Sequence, residues 1–359
     1  RAHPAKIAGK TLIRFKVLST FWHSTVSDPK FAKYYLGLTS RHHFLLFSPE
    51  TKFLLLPYDE FNNLKDLEKI DIGGRRDVRF VGCCNGLVCL YNLNVLKSKR
   101  NYGSRYRRCG FLSICNPVTH QNREITNPGK SELALGYWFV YASSIDDYNI
   151  VALFSSRVRN YNEQYVHFCV FSMRTGIWKR YCHLDDYYDV YKNFSCKTTV
   201  MNDIMYWHPG CLGHEWEDKR ICAFDLVNEE WKEYPWLDFL NEYFGADFFV
   251  RNGCLSLYCH KSHMVDDVWT LKHYDDRNSW EFLFSVNFGD WRFYTSIPTG
   301  KILVRSLWLF KIFDVSNDRP EQGDARSLDY TLDIRAESFV ETLTSPFGTI
   351  NFSKDDNEV

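Results

Sequence analysis

The sequence predicts a mostly β fold, a kelch-like β-propeller, preceded by a short helical stretch, and three observations carry that expectation. From about residue 42 onward, apolar runs rich in β-branched and aromatic residues alternate with turn residues: HFLLFS, KFLLLPY, RFVGCC, LVCLYN, FLSICN, NIVALF, HFCVFS, ICAFDL, DVWTLKHY and KILVRSLW. A strand end, a polar turn and a returning aromatic then recur at Phe47 (FSPETKF), Ile114 (ICNPVTHQ), Phe171 (FSMRTGIW), Phe224 (FDLVNEEW), Tyr274 (YDDRNSW) and Phe313 (FDVSND). The recurrence is roughly every 50 residues, the period of a kelch-type blade. Finally, aromatics make up 17% of the 359 residues, enough apolar mass for a large core. One four-stranded blade cannot bury both of its faces, so neighbours stack and the ring closes without long open edges. Six repeats suffice for such a ring, and two packed sheets are the competing arrangement.

In chain order, residues 10 to 36 read as helices. Leu12, Phe15, Leu18 and Trp22 fall at spacings of three and four, with Ile13, Val17 and Phe21 on the adjoining stripe, a face wider than one contact needs. A second helix is announced by Asp28 as N-cap, Pro29 at its first position and Gly37 beyond its end. The clearest hairpin is Phe80 to Tyr91, where Asn85-Gly86 supplies the positive-φ pair of a two-residue turn. The segment Lys97 to Arg108 mixes six basic residues with Tyr102 and Tyr106 between two strand patterns, and reads as a long hairpin loop. Such a loop can be a solvated insertion, a docking element for an acidic protein surface, or a nucleic-acid or nuclear-import patch.

Composition narrows the function classes. The chain has 44 Lys+Arg and 44 Asp+Glu, so no global field selects nucleic acid. No apolar run reaches the roughly 18 residues of a spanning helix, and RAHPAKIAGK lacks a signal-peptide core, so a cytoplasmic or nuclear protein without a membrane partner is expected. Twelve cysteines without a Cys-x-x-Cys pair read as reduced, buried thiols. Gly82-x-x-x-Gly86 is followed by Leu87-Val88 and is no phosphate loop, and neither a Gly-x-Ser-x-Gly elbow nor a His-Glu-x-x-His helix occurs. Cys254, Cys259, His260 and His263 have metal-like spacing, yet strand alternation sets the two cysteines on opposite faces, so a buried Cys and a hairpin-loop His are expected. Asp185-Asp186, Asp266-Asp267 and Asp275-Asp276 read as solvated turn residues. No catalytic residue, cofactor or metal is expected.

These residues resemble plant F-box proteins with a type 1 F-box-associated domain, especially the S-locus F-box group. KTLIRFKVLSTFWHSTVSDPKFAKYYL is similar to the second half of an F-box, through Lys10, Leu12, Arg14, Phe15, Lys16, Trp22, Pro29, Phe31 and Leu36. GCCNGLVCL, ICNPVT with Arg123-Glu124-Ile125, FSMRTGIWK, FDLVNEEWKE, DVWTLKHYDDRNSWEFLFSV and SFVETLTSP are similar to the associated domain. The resemblance implies partial F-box helices at 1–40, a propeller-like domain at 41–350 and a polar tail at 351–359. It implies a non-catalytic adaptor that docks on a Skp-type adaptor of a cullin ubiquitin ligase and captures a target protein, a pistil S-RNase in the S-locus group. Leu12, Phe15, Leu18, Trp22 and Phe31 are then the expected adaptor contacts. Arg100, Arg105, Tyr106, Arg107 and Arg108, with Trp216 of WHPGCLGHEW, are the expected target contacts, being the aromatic and Arg types that anchor interfaces. A propeller binding module, or a remnant that recruits no ligase, stands as the alternative.

Overall fold

The computed structural model describes residues 9–38, 42–48, 52–57, 68–70, 78–96, 107–128, 133–157, 164–183, 198–207, 220–235, 237–243, 245–261, 265–274, 276, 278–287, 292–297, 301–306, 309–314, 321–322, 326–327 and 335–347. It opens with three short helices, α1 (Gly9–Phe15), α2 (Thr20–Ser27) and α3 (Pro29–Leu38). The first helical stretch expected from the periodicity is thus two helices. Ser19 makes the break, its extended backbone starting α2 while its Oγ accepts the Trp22 N–H at 3.2 Å. Asp28 caps α3 as expected, accepting the Lys30 N–H at 2.8 Å, but Gly37 lies inside the last turn instead of beyond it.

The strands follow in blades. Blade 1 holds β1 (His42–Ser48), β2 (Lys52–Pro57) and β3 (Glu68–Ile70); blade 2 holds β4 (Val78–Cys84), β5 (Leu87–Leu96), β6 (Arg107–Asn116) and β7 (Gln121–Ile125). Blade 3 holds β8 (Leu133–Ala142), β9 (Asp147–Arg157), β10 (Gln164–Ser172) and β11 (Trp178–His183); blade 4 holds β12 (Thr199–Met201), β13 (Ile204–Trp207), β14 (Arg220–Asp225) and β15 (Glu230–Pro235). Blade 5 holds β16 (Gly245–Arg251), β17 (Cys254–His260), β18 (Val265–Leu271) and β19 (Trp280–Asn287). Blade 6 holds β20 (Arg292–Ile297), β21 (Lys301–Ser306), β22 (Leu309–Asp314) and β23 (Glu321–Gln322), with β24 (Arg326–Ser327) beside β22. Last, β25 (Arg335–Val340) pairs antiparallel with β1, Phe339 opposite His43, and becomes the first strand of blade 1. With β20 beside β25 and β25 beside β4, the two ends of the chain meet in one sheet and close the ring.

Both faces of a blade are buried, which is why its strands read as unbroken apolar runs. In β5, Leu87, Cys89 and Tyr91 pack toward blade 3, while Val88 and Leu90 pack toward blade 1. In β17, Leu255, Leu257 and Cys259 face blade 4, and Tyr258 faces blade 6. The aromatics concentrate in these seams. Between blades 3 and 4, Phe168 stacks on Trp207 with ring centroids 6.3 Å apart and meets Phe224 at 4.9 Å.

The sequence repeat has a local cause. The last residue of the third strand, Asn116, Ser172 or Asp225, turns its side-chain oxygen onto backbone N–H groups of the turn, those of Val118 (2.8 Å), Thr175 (3.1 Å) and Asn228 (2.9 Å) respectively. Four residues on, His120, Gly176 and Glu229 take φ of 58°, 72° and 59° to start the fourth strand. FSPETKF is a different turn, since it joins β1 to β2, the second and third strands of its blade. Counted from Pro57, where that third strand ends, the step to Asn116 is close to the step from Asn116 to Ser172. The 67-residue step from Phe47 to Ile114, longer than those that follow it, therefore comes largely from this shift of phase.

Candidate functional site

The antiparallel blades divide the turns between two faces. Turns joining first to second and third to fourth strands open on one side, and second-to-third and blade-to-blade connections open on the other. The helices sit on the first side. The Gly9 N–H donates to Glu341 Oε2 at 2.8 Å, and Lys33 Nζ pairs at 2.8 Å with Asp146, in the first turn of blade 3. Leu343 enters the helical core of Leu12, Val26, Ala32 and Tyr35.

This packing sorts the expected adaptor contacts. Leu12 is only 2% exposed, so it supports the helical unit from inside and is corrected from contact to core. Phe15, Trp22 and Phe31 are half-buried against that core, with Phe15 and Trp22 rings 5.4 Å apart. Leu18 is 66% exposed, and two residues of the adjoining stripe join it, Val17 at 86% and Phe21 at 67%. Solvated apolar side chains this close in sequence are a candidate contact surface.

Of the expected target contacts, Arg100, Arg105, Tyr106 and Trp216 fall outside the described residues. The strand ends that bracket them, Leu96 opposite Arg107 and Trp207 opposite Cys222, are second-to-third strand ends, on the face away from the helices. Arg107 and Arg108, expected in a loop, belong to β6, paired with Leu96 and Val95.

The same far face holds a charged cluster at the end of blade 5. Asp266 accepts from Tyr258 Oη at 2.6 Å and lies 3.2 Å from His260 Nδ1, while Asp247 stands 3.8 Å from His260 Nε2. Asp267 accepts from Tyr243 Oη at 2.7 Å and from Ser285 Oγ, with Lys261 Nζ at 3.5 Å. Asp266 and Asp267, expected as solvated turn residues, are 2% and 3% exposed. His260, expected in a hairpin loop, is the last residue of β17. Asp276 does fit the turn reading, exposed and capping the Asn278 N–H at 2.9 Å; Asp185, Asp186, His263 and Asp275 lie outside the described residues. Among the described residues, no group of three or more His, Cys, Asp or Glu is placed to hold a metal ion, and no helix is long and apolar enough to cross a membrane. Burial, with Asp267, Asp247 and Asp266 nearby, pushes the Cys259 thiol well up, away from the thiolate a metal requires.

The F-box protein At3g26010-like β-propeller family matches residues 67–299, from blade 1 into blade 6. The chain belongs to this family. The F-box protein At4g22390 of Arabidopsis thaliana is 24% identical, the alignment covering 78% of this chain and 71% of that protein. The F-box/kelch-repeat protein At3g23880 of the same plant is 23% identical, covering 94% of this chain and 92% of the relative.

The blade 5 cluster of this F-box β-propeller chain has a measurable signature. Burial lowers the pKa of His260, but the hydrogen bonds and charge of Asp247 and Asp266 outweigh it and raise the group to about 9. A folded-state pKa above the ordinary 6.5 stabilises the fold below the ordinary value, and the contribution is lost as pH rises through about 9. The stability of the wild type in thermal unfolding should therefore decline between pH 6.5 and 9.5, by up to about 3 kcal/mol. His260→Gln should be less stable at pH 6 and flatter across that window; an equal slope in both proteins would remove His260 as its source.

Proposed function

We propose that this chain is the substrate-recognition subunit of a Skp–cullin–F-box ubiquitin ligase. Membership of an F-box β-propeller family and relatives named as F-box proteins support that reading. The observation that carries it is the exposed cluster of Val17 and Leu18 in the α1–α2 turn and Phe21 in α2, on a helical unit fastened to one face of the ring. Their apolar area is what a helical adaptor would cover, leaving the far face for the captured protein. The chain then acts by proximity: holding target lysines near a charged conjugating enzyme raises their effective concentration and requires no catalytic residue here. The reading places the protein in the cytoplasm or nucleus. A pistil S-RNase as target rests on the sequence resemblance alone, and direct binding to an S-RNase decides it.

Co-purification with a plant Skp-type adaptor tests the docking surface. Phe21→Asp, which puts a charge into the interface, should weaken adaptor binding by ten-fold or more, on the order of 1.4 kcal/mol or above. Ile177→Asp, at an exposed residue in the blade 3 turn, should leave binding unchanged. An adaptor that ignores the wild-type chain would favour the propeller binding module instead.

A further inference from the structure

We propose that residues 341–344 form a latch that fixes the orientation of the helical unit on the ring, with Glu341 as its principal positioning residue. The segment follows β25 directly, and its side chains alternate as in an extended strand. Glu341 and Leu343 face the helices: buried Glu341 accepts the N–H of Gly9, the first residue of α1, and Leu343 lies in the helical core. Thr342 and Thr344 face the ring, where Asn116 Nδ2 donates to their carbonyl oxygens at 3.1 and 2.7 Å and their own hydroxyls meet at 2.7 Å. One run of four residues thus grips the turn of blade 2 with one edge and the helices with the other.

The helices depend on that grip. At 7, 8 and 10 residues they are too short to persist by propensity, so packing holds them. Of the links to the ring, Lys33–Asp146 is exposed on both sides and worth little. The Gly9 contact is buried and close: a Cβ there would lie 2.8 Å from Val118 Cγ1 and 3.4 Å from Glu341 Oε2. Val118 is buried and β-branched, which restricts its χ1 and the room it has to yield. If the chain is a ligase subunit, the latch sets the direction in which a protein on the far face is presented, so ring closure and presentation share one segment.

Hydrogen–deuterium exchange on the full chain tests the latch without adaptor or target, so its outcome is independent of the ligase reading. Gly9→Ala raises intrinsic helix propensity and by that alone would protect α1. The latch predicts the opposite sign: exchange in residues 10–38 rises ten-fold or more while β5 and β13 amides stay as in the wild type. The double variant Gly9→Ala with Val118→Ala, which makes room for the new methyl, restores protection. Glu341→Gln, with a weaker acceptor, should show a smaller rise in the same residues. Unchanged exchange across the helices in both single variants overturns the latch. So does ring-wide exchange in Gly9→Ala, because the contact would then serve ring closure and not orientation.

Discussion

Asp267→Ala should lower the free energy of unfolding by about 1–3 kcal/mol, the cost of leaving a buried donor without its acceptor. Its carboxylate gathers groups from three elements: Tyr243 at the end of the 3-10 turn Asp238–Glu242, Ser285 on β19 and Lys261 just past β17. Alanine leaves the buried Tyr243 hydroxyl without that acceptor, whereas Ser285 and Lys261 are exposed and can turn to water, so the one buried orphan sets the cost. Trp269 Nε1 donates to Tyr243 Oη at 3.0 Å, so the loss extends into the seam between blades 4 and 5. Asp267→Asn keeps the volume and one acceptor but loses the charge facing Lys261, and should fall between alanine and wild type. Asp276→Ala, in an exposed turn of the same blade, should cost no more than about 1 kcal/mol. Denaturant midpoints of the three variants check the ranking. Should Asp267→Ala prove no worse than Asp276→Ala, the carboxylate would be the solvated turn residue its sequence suggests.

That misreading shows where sequence patterns stop being informative. The ring itself was legible, because both its signals are local: blade strands buried on two faces give unbroken apolar runs, and a capped turn with a positive-φ residue repeats at Asn116–His120, Ser172–Gly176 and Asp225–Glu229. The Asn85-Gly86 turn was legible for the same reason, and Asn252-Gly253 in blade 5 carries the same signal with φ of 50° and 76°. Asp266-Asp267 was not, because their partners come from β17, β19 and the 3-10 turn, and two adjacent aspartates look identical in a solvated loop. The out-of-phase first repeat escaped as well, since β25 enters blade 1 from the far end of the chain. At the candidate adaptor surface the helical stripe was visible but its division was not. Leu12 and Leu18 share one periodic face, and only the break at Ser19 together with Leu343 sends the first inside and leaves the second in water.

Gly86→Ala against Gly253→Ala separates backbone strain from ring closure. Both glycines end an Asn-Gly turn between the first and second strands of a blade, with φ of 77° and 76°, so the intrinsic cost of alanine in the left-handed region is the same, about 1–2 kcal/mol. Their surroundings differ. A Cβ on Gly253 meets nothing within 4 Å, whereas one on Gly86 would lie 2.2 Å from the Val340 carbonyl oxygen and 2.6 Å from Thr342 Cγ2. Val340 is the last residue of β25, and Thr342 faces the ring in the segment that follows, so the added methyl pushes against the strand that closes blade 1. A backbone carbonyl cannot change rotamer, and relief requires β25 to shift against β1. Gly253→Ala should therefore lose about 1–2 kcal/mol with native exchange protection elsewhere. Gly86→Ala should lose about 4 kcal/mol or more and expose the β1 and β25 amides first. Equal losses would mean that the blade 2 turn does not bear on closure, and that blade 1 is held by its own β1–β25 pairing alone.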